Sequence, residues 1–262
     1  MSEHRFALAV AGGVARLRMI RAEGRNAIDP LWVTELEAAV TALEQERSAR
    51  AVLIVADGPA FSVGGDMAHF LAERGRMAAE LADMVGGYHA ALGRLAALPL
   101  PVVSAVNGPA AGGGLGLVWC SDVVIAADDA KFATGFAALG LSGDGGSSWF
   151  LPRLVGLRRA REMILHNRVV SAAEALDWGL IDRVVPAADL DAEAEAAAAG
   201  MAAGPTLAYG EMRQLLWRSL SVGVDDQLQA ELEAIVRCGA TADAREGVSA
   251  FNERRPPKFT GR

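Results

Sequence analysis

The chain has 262 residues, of which 52% are hydrophobic, and its formal net charge is −7. This length and apolar content suffice for one large domain, or for one domain with a helical appendage. The acidic balance argues against nucleic acid as a main partner, because phosphate binding requires a basic surface. No run of about 18 uncharged apolar residues occurs, so we expect no membrane span.

The compartment and the metal content are predicted from a few residues. Arg16 and Arg18 interrupt the first apolar run, so we expect no signal peptide. Cys120 and Cys238 are too few for a disulfide framework, and the histidines show no metal-ligand spacing. We therefore expect a cytoplasmic protein without a metal site.

The N-terminal third alternates short apolar strands with amphipathic helices. Strands are predicted at residues 6–10, 15–20 and 51–56. A helix is predicted from Pro30 to about Glu46, with Asp29 as its N-cap, because proline is favoured at the first helical position. A second helix is predicted at 77–97, since Pro99 and Pro101 break the pattern after it.

The central part continues the alternation and the C-terminal part ends it. "VVSAV" at 102–106 and "DVVIAA" at 122–127 are typical of buried strands, and between them a glycine-rich turn leads into a helix. These features predict an α/β core. Beyond Val185, helical segments are predicted at 187–203, 206–217 and 224–237, so the last 70 or so residues are expected to be all-helical.

Two glycine-rich turns follow predicted strands, "AFSVGGDMAHF" at 60–70 and "NGPAAGGGLGL" at 107–117. Such a turn lets backbone N–H groups converge on one point, and two of them could form an oxyanion hole. Taken singly, each is also explained as a tight turn that only glycine fits. Neither matches a phosphate-binding or dinucleotide-binding fingerprint.

Asp144 lies among glycines in "LSGDGGSS" at 141–148. An aspartate before "GGSSW" is typical of a helix N-cap. A carboxylate surrounded by apolar residues is also suited to acid/base chemistry, because desolvation raises its pKa. The local sequence leaves both interpretations open.

Several ordered motifs carry a family resemblance: "RNAID" at 25–29, "FSVGGDM" at 61–67, "PVVSAVNGPAAGGGLGL" at 101–117, "SDVVIAADDAKF" at 121–132, "GDGGSSWFLPRLVG" at 143–156 and "AREGVSAFNERRPPKF" at 244–259. The chain thereby resembles the enoyl-CoA hydratase/isomerase (crotonase) superfamily over nearly its whole length. The resemblance implies a spiral of strand, strand and helix in residues 1–190. It also implies a helical oligomerisation region in residues 191–262, assembled as a trimer or a dimer of trimers.

The resemblance also implies the substrate class, a coenzyme A thioester, with no separate cofactor. The family holds the thioester oxygen with two backbone N–H groups, which fall on Gly65 and Gly113 by motif matching. It places further substrate contacts at Arg25, Ala27, Val63, Asp66, Gly114, Phe136, His89, Phe251 and Arg254. On residue type, Asp66 and Asn107 are also suited to bracing their glycine turns.

Two carboxylates that hydratases of the family use are absent. Their positions are occupied here by Gly116 and Phe136, neither of which can transfer a proton. Asp144 remains as the acid in the matching neighbourhood. This pattern is most similar to the epoxyphenylacetyl-CoA isomerase-like branch, so we expect an acyl-CoA isomerase in which Asp144 is the acid/base.

Three further functions stay open on the sequence. The protein could be an enoyl-CoA hydratase that recruits Asp144 in an altered geometry. It could be an aryl-CoA dehalogenase or hydrolase, with Asp144 as nucleophile and His89 as base, although that reaction calls for tryptophan where Phe136 stands. It could also be a non-catalytic RNA-binding homologue, for which the arginine-rich segment 153–162 is the candidate surface.

Overall fold

The computed structural model describes residues 4–262. The strands in that range are β1 (Phe6–Ala11), β2 (Val14–Met19), β3 (Ala51–Ala56), β4 (Val102–Val106), β5 (Ala110–Ala111), β6 (Val123–Ala127), β7 (Lys131–Ala133), β8 (Val170–Ser171) and β9 (Arg183–Val185). The α-helices are α1 (Pro30–Gln45), α2 (Met67–Ala72), α3 (Met77–Ala97), α4 (Leu115–Trp119), α5 (Ser147–Leu165), α6 (Ala172–Asp177), α7 (Leu190–Ala202), α8 (Thr206–Ser219), α9 (Val224–Gly239) and α10 (Ala242–Glu253).

The predicted strands and helices are confirmed to within a few residues at their ends. Asp29 caps α1 as expected, because its Oδ1 accepts a hydrogen bond from the Trp32 N–H at 2.8 Å and Pro30 takes the first helical position. The C-terminal part is all-helical from α7 onward. None of the helices within residues 4–262 combines the length and the apolar character needed to cross a membrane.

The larger sheet has six strands in the order β1-β2-β3-β4-β6-β9. Only β1 and β2 pair antiparallel, and each later pair is parallel. Parallel strands are covered on both faces, which explains why β3 and β4 are nearly continuous apolar runs.

Alternate residues of β3 face two separate cores. Val52 and Ile54 belong to the larger core, together with α1 and α3, whereas Ala51 and Leu53 belong to a smaller one. The smaller core is closed by the alanine-rich face of α7. The first helix of the C-terminal region therefore covers the sheet, and the division into 1–190 and 191–262 stays a prediction.

A second set of short pairings runs beside the large sheet and gives the chain its spiral course. Strand β7 pairs with β5 and β8. Isolated bridges extend the series, joining Ser62 to Ala110 and Ile28 to Gly65. Successive turns of the chain thus contribute one strand to each set. Because they stack, the two glycine-rich turns come to lie side by side.

Arg213 on α8 ties the C-terminal helices to the core. Its side chain is buried and pairs with Asp122 at 2.6 Å. It also donates to the carbonyls of Ala96 and Leu98 at the end of α3, and to that of Cys120 after α4. One guanidinium therefore satisfies the terminal carbonyls of two helices that approach the glycine turns.

We expect Arg213→Met to lower the free energy of unfolding by on the order of 3 kcal/mol, because Asp122 and the buried carbonyls lose their donor. This corresponds to a fall in Tm of roughly 6 to 12 °C. Arg218→Met, at an exposed position of the same helix, is the matched control and should leave Tm within about 2 °C. Thermal unfolding followed by circular dichroism measures both, and equal Tm values would contradict the role of Arg213.

Candidate active site

A cavity of about 220 Å³ lies between α2, α3, the two glycine turns and the segment before α5. Gly65, Gly113 and Asp144 all line it. Most of the remaining wall is apolar and includes Met84 and Phe136. The structure thus brings the three predicted catalytic positions to one water-poor site.

The backbone around Gly65 leaves its N–H group outside the strand pairing. The bridge to Ile28 uses the Gly64 carbonyl and the Asp66 N–H, on either side of Gly65. Gly64 has a φ of 79°, a conformation that favours glycine. The Gly65 N–H is therefore available to a ligand in the cavity.

Arg21 braces this turn, a residue that sequence reasoning missed. Its guanidinium pairs with Asp66 at 2.7 Å and with Asp29 at 3.2 Å. Asp66 also caps α2 by accepting from the N–H groups of Ala68 and His69. These hydrogen bonds and the Arg21 pair hold the pKa of the Asp66 carboxyl below its usual value, against the opposing effect of burial. Asp66 thus braces its turn.

Gly113 stands at the start of the helical turn that leads into α4. The first N–H groups of such a turn have no acceptor within the helix. Gly112 before it has a φ of 52°, which turns the chain from β5 into the helix. The Gly113 N–H is therefore the second donor available to a ligand.

Asp144 lies beside Gly113. A Cβ built on Gly113 would be 3.1 Å from Asp144 Oδ1, so glycine here lets the carboxylate approach the helix start without displacement of its neighbours. The same Oδ1 is buried and accepts no hydrogen bond from residues 4–262. An unpartnered buried carboxylate oxygen is costly for the fold, and its position is suited to taking a proton from a bound ligand.

The capping interpretation of Asp144 is wrong. Helix α5 begins at Ser147 with Gly146 as its N-cap, and no side chain caps it. Asp144 contributes only its backbone carbonyl, which accepts from the Ser147 N–H at 3.0 Å. Burial raises the pKa of the Asp144 carboxyl above its usual value.

His89 holds the loop that carries Asp144. Its Nε2 accepts a hydrogen bond from the Gly145 N–H at 2.9 Å, so this nitrogen carries no proton of its own. The Gly145 carbonyl accepts from Trp119 Nε1 at 2.7 Å. The Gly145 backbone is thus held at both its N–H and its carbonyl. His89 also lines an open groove that adjoins the cavity at Asp144.

Tyr88 is a second residue that sequence reasoning missed, although it directly precedes His89. Its hydroxyl is buried and donates a short hydrogen bond to the Gly113 carbonyl. Burial raises the pKa of the phenol well above its usual value, so it stays protonated and acts as a donor. Its ring packs edge-on against Trp32, with centroids 5.4 Å apart.

The two positions that match the glutamates of the family's hydratases hold no acid here. A Cβ at Gly116 would collide with the Tyr88 hydroxyl and would lie 2.7 Å from Leu92 Cδ1. Phe136 is buried and lines the cavity with its ring. A side chain at Gly116 would displace Tyr88 or Leu92, and position 136 presents an apolar ring in place of an acid.

The remaining predicted contacts divide by location. Val63 lines the cavity. Ala27 is buried and precedes Ile28, which also lines the cavity. Arg25 is exposed, with a φ of 51°. Gly114 packs on Ser62, whose side chain would be 2.6 Å from an added Cβ. Asn107 braces its turn as expected, donating to the carbonyls of Ala56 and Gly58.

Phe251 and Arg254 lie at the end of α10 and do not line the cavity of this chain. Phe251 is 87% exposed, and Arg254 has a φ of 55° at the C-cap of the helix. Their expected contact with a coenzyme in the same or a neighbouring subunit stays a prediction.

We expect Gly116→Ala to destabilise the protein by about 1–3 kcal/mol, because the methyl group overpacks the site that the Tyr88 hydroxyl fills. Gly93→Ala is the matched control, since an added Cβ there meets no atom within 4 Å at an exposed position of α3. That control should stabilise the protein by about 0.5–1 kcal/mol through helix propensity. Urea unfolding measures both, and a neutral Gly116→Ala would contradict the packing argument.

Comparisons with known proteins agree with this architecture. The family model described as enoyl-CoA hydratase/isomerase matches residues 9–262. A Rhodobacter capsulatus protein named "Probable enoyl-CoA hydratase" is 38% identical over 100% of both chains. The 1,2-epoxyphenylacetyl-CoA isomerase of Escherichia coli K12 is 36% identical over 97% of both.

A solved enoyl-CoA hydratase from Polaromonas sp. JS666 superposes with a TM-score of 0.92 at 30% identity, covering 97% of this chain and 99% of that one. The predicted spiral core with a C-terminal helical region is thereby confirmed. Sequence and structure together show that the chain belongs to the enoyl-CoA hydratase/isomerase (crotonase) family.

Proposed function

We propose that the protein is an acyl-CoA isomerase that moves a double bond, or opens a ring epoxide, in a coenzyme A thioester. The observation that carries this proposal is the environment of Asp144. Its carboxylate is desolvated, lacks a hydrogen-bond partner on Oδ1 among residues 4–262, and lies against Gly113. It is the only carboxylate among the described residues that line the cavity.

The reaction follows from three groups. The thioester oxygen accepts hydrogen bonds from the Gly65 and Gly113 N–H groups, which stabilise the enolate charge. Asp144 takes a proton from one carbon, and the electron pair of that C–H bond delocalises toward the thioester oxygen. The same carboxyl group then returns the proton to another carbon. No atom is gained or lost, so one acid/base suffices for the shift of a double bond.

Hydration is the runner-up, and the relatives carry both names. Adding water requires one group to activate the water and a second to protonate the α-carbon. The Tyr88 hydroxyl fills the space beside Gly116, and Phe136 presents an apolar ring. These contacts favour isomerisation over hydration.

Dehalogenation, hydrolysis and RNA binding receive less support. A dehalogenase or hydrolase would need a His89 nitrogen to take a proton from water, whereas Nε2 accepts from Gly145. An RNA-binding surface would need free arginines in 153–162. Two of its four arginines stack on aromatic rings, since Arg153 lies 4.2 Å from the Trp149 ring centroid and Arg159 lies 5.0 Å from that of Trp178, and this leaves a small basic surface.

For substrate binding we propose that coenzyme A enters as part of the thioester, with no separate cofactor. Arg25 is exposed near the Val63 side of the cavity, since the Val63 N–H donates to the Arg25 carbonyl at 3.3 Å. A cation there would help offset the acidic chain against phosphate groups. We further propose a cytoplasmic trimer or dimer of trimers, in which Phe251 and Arg254 contact the coenzyme.

Asp144→Asn should lower kcat for isomerisation between 3-enoyl and 2-enoyl thioesters about 10²–10⁴-fold, because the amide cannot take the proton. Asp129→Asn, at an exposed turn outside the cavity, is the control and should keep wild-type rates. Hydration of crotonyl-CoA is measured in parallel. Rapid hydration of crotonyl-CoA that persists in Asp144→Asn would contradict the proposed mechanism.

The raised pKa of Asp144 gives a pH signature. Activity requires the ionised carboxylate, so kcat/KM should rise with pH through a pKa above about 3.9, the usual value for aspartate. At pH values between the usual pKa of aspartate, which applies to the unfolded chain, and the raised pKa of folded Asp144, the native state binds more protons than the unfolded state. Ionising Asp144 therefore lowers stability as pH rises through that window.

Asp144→Asn should accordingly raise Tm at neutral pH by a few degrees, at about 2–4 °C per kcal/mol. The difference should disappear once the pH falls below the usual aspartate pKa, where the wild-type group is protonated in both states. Calorimetry from about pH 3 to about pH 8 measures this. A variant less stable than wild type at neutral pH would show that the carboxylate serves the fold instead.

A further inference from the structure

Two of the three groups proposed to act on the substrate, the Gly113 N–H and the Asp144 carboxylate, lie on glycine-rich backbone. Gly112 has a φ of 52°, and Gly145 and Gly146 have φ values of 57° and 80°. Glycine permits these conformations but does not enforce them, because it lacks a side chain that restricts the backbone. Some other element has to fix the distance between the Gly113 N–H and the Asp144 carboxylate.

Helix α3 is suited to this role. It is 21 residues long, and its buried side chains, among them Met84, Leu92 and Leu95, pack into the larger core. Adjacent residues on it reach the two segments separately. The Tyr88 hydroxyl donates to the Gly113 carbonyl, and His89 Nε2 accepts from the Gly145 N–H at 2.9 Å.

The glycine backbones of the two segments approach each other closely. A Cβ on Gly145 would be 3.3 Å from the Gly113 carbonyl oxygen, and one on Gly113 would be 3.1 Å from Asp144 Oδ1. One side chain links them directly: Trp119, at the end of α4, donates to the Gly145 carbonyl at 2.7 Å. Helix α3 adds one further contact to each segment.

Resting on the function proposed above, we propose that Tyr88 and His89 are a pair of positioning residues that set the oxyanion donor and the acid/base at a fixed separation. Tyr88 acts on the donor side by orienting the Gly113 backbone. His89 acts on the acid side by holding the Asp144–Gly145 segment. Neither exchanges a proton with the substrate. Misplacing a reacting group by about 1 Å can cost about 10²-fold in rate.

The experiment separates the two sides by a readout independent of turnover. The probe is octanoyl-CoA carrying ¹³C at the thioester carbonyl, a saturated ligand without a double bond to move. In wild type, isotope-edited infrared spectroscopy should show the carbonyl band shifted to lower frequency than in water, because two N–H groups polarise it. Kinetics with an enoyl-CoA give kcat and KM separately.

Tyr88→Phe should lose part of the band shift, the part due to the Gly113 donor, and about 10- to 100-fold in kcat, with KM changed less than about threefold. Tyr209→Phe removes the hydroxyl of the only other tyrosine and should match wild type in both measurements. His89→Leu should lower kcat by a similar factor while leaving the band shift in place. His89→Gln should restore much of that loss, because its amide oxygen can accept from Gly145.

Fluorotyrosine incorporation covers the case in which Tyr88→Phe does not fold. A fluorinated phenol is a stronger donor, so in the Tyr209→Phe background the band shift should change without any loss of volume. A shift that is insensitive to both changes at Tyr88 overturns the donor-side role. Equal kcat in His89→Leu, His89→Gln and wild type overturns the acid-side role.

Failure of the proposed function would look different. If octanoyl-CoA binds with a shifted band that depends on Tyr88, but no enoyl-CoA is isomerised, the positioning role stands and the reaction assignment falls. If wild type isomerises enoyl-CoA but the carbonyl band does not change with substitutions at Tyr88, the reaction assignment stands and the positioning role of Tyr88 is wrong.

Discussion

The desolvated carboxylate of Asp144 against the start of α4 is the constraint on which the site depends. Within residues 4–262, Oδ1 has no hydrogen-bond donor, and burial raises the pKa of the group. Such an arrangement is unfavourable on its own and persists only where the surrounding structure enforces it. The glycines at 112–114, 116 and 145–146 allow this approach, and α3 and Trp119 hold it.

The contacts that hold Asp144 in place extend to the C-terminal helices. Helix α3 carries Tyr88 and His89, and its last carbonyls are held by Arg213 from α8. The same guanidinium binds the carbonyl after α4. The C-terminal helices are therefore connected to the site by hydrogen bonds, in addition to the alanine-rich packing of α7 on the sheet.

The walls of the cavity lack the two acids that hydratases of the family use, and this absence limits its chemistry. Phe136 and the Tyr88 hydroxyl occupy the places at which the family's hydratases carry proton-transferring groups. Most of the remaining walls are apolar, and a low local dielectric strengthens the two N–H dipoles. In the proposed reaction these dipoles stabilise the enolate, and the carboxylate of Asp144 moves the proton.

The sequence by itself determined most of the elements and the family. Apolar periodicity and the Asp29–Pro30 start predicted the strands and α1, and the ordered glycine motifs predicted Gly65 and Gly113 as paired donors. The tertiary structure alone decided that Asp144 is no cap, and that Tyr88 fills the space beside Gly116. The reason is physical: capping, periodicity and turn chemistry act between near neighbours in the chain, whereas desolvation and close packing depend on residues that only folding brings together.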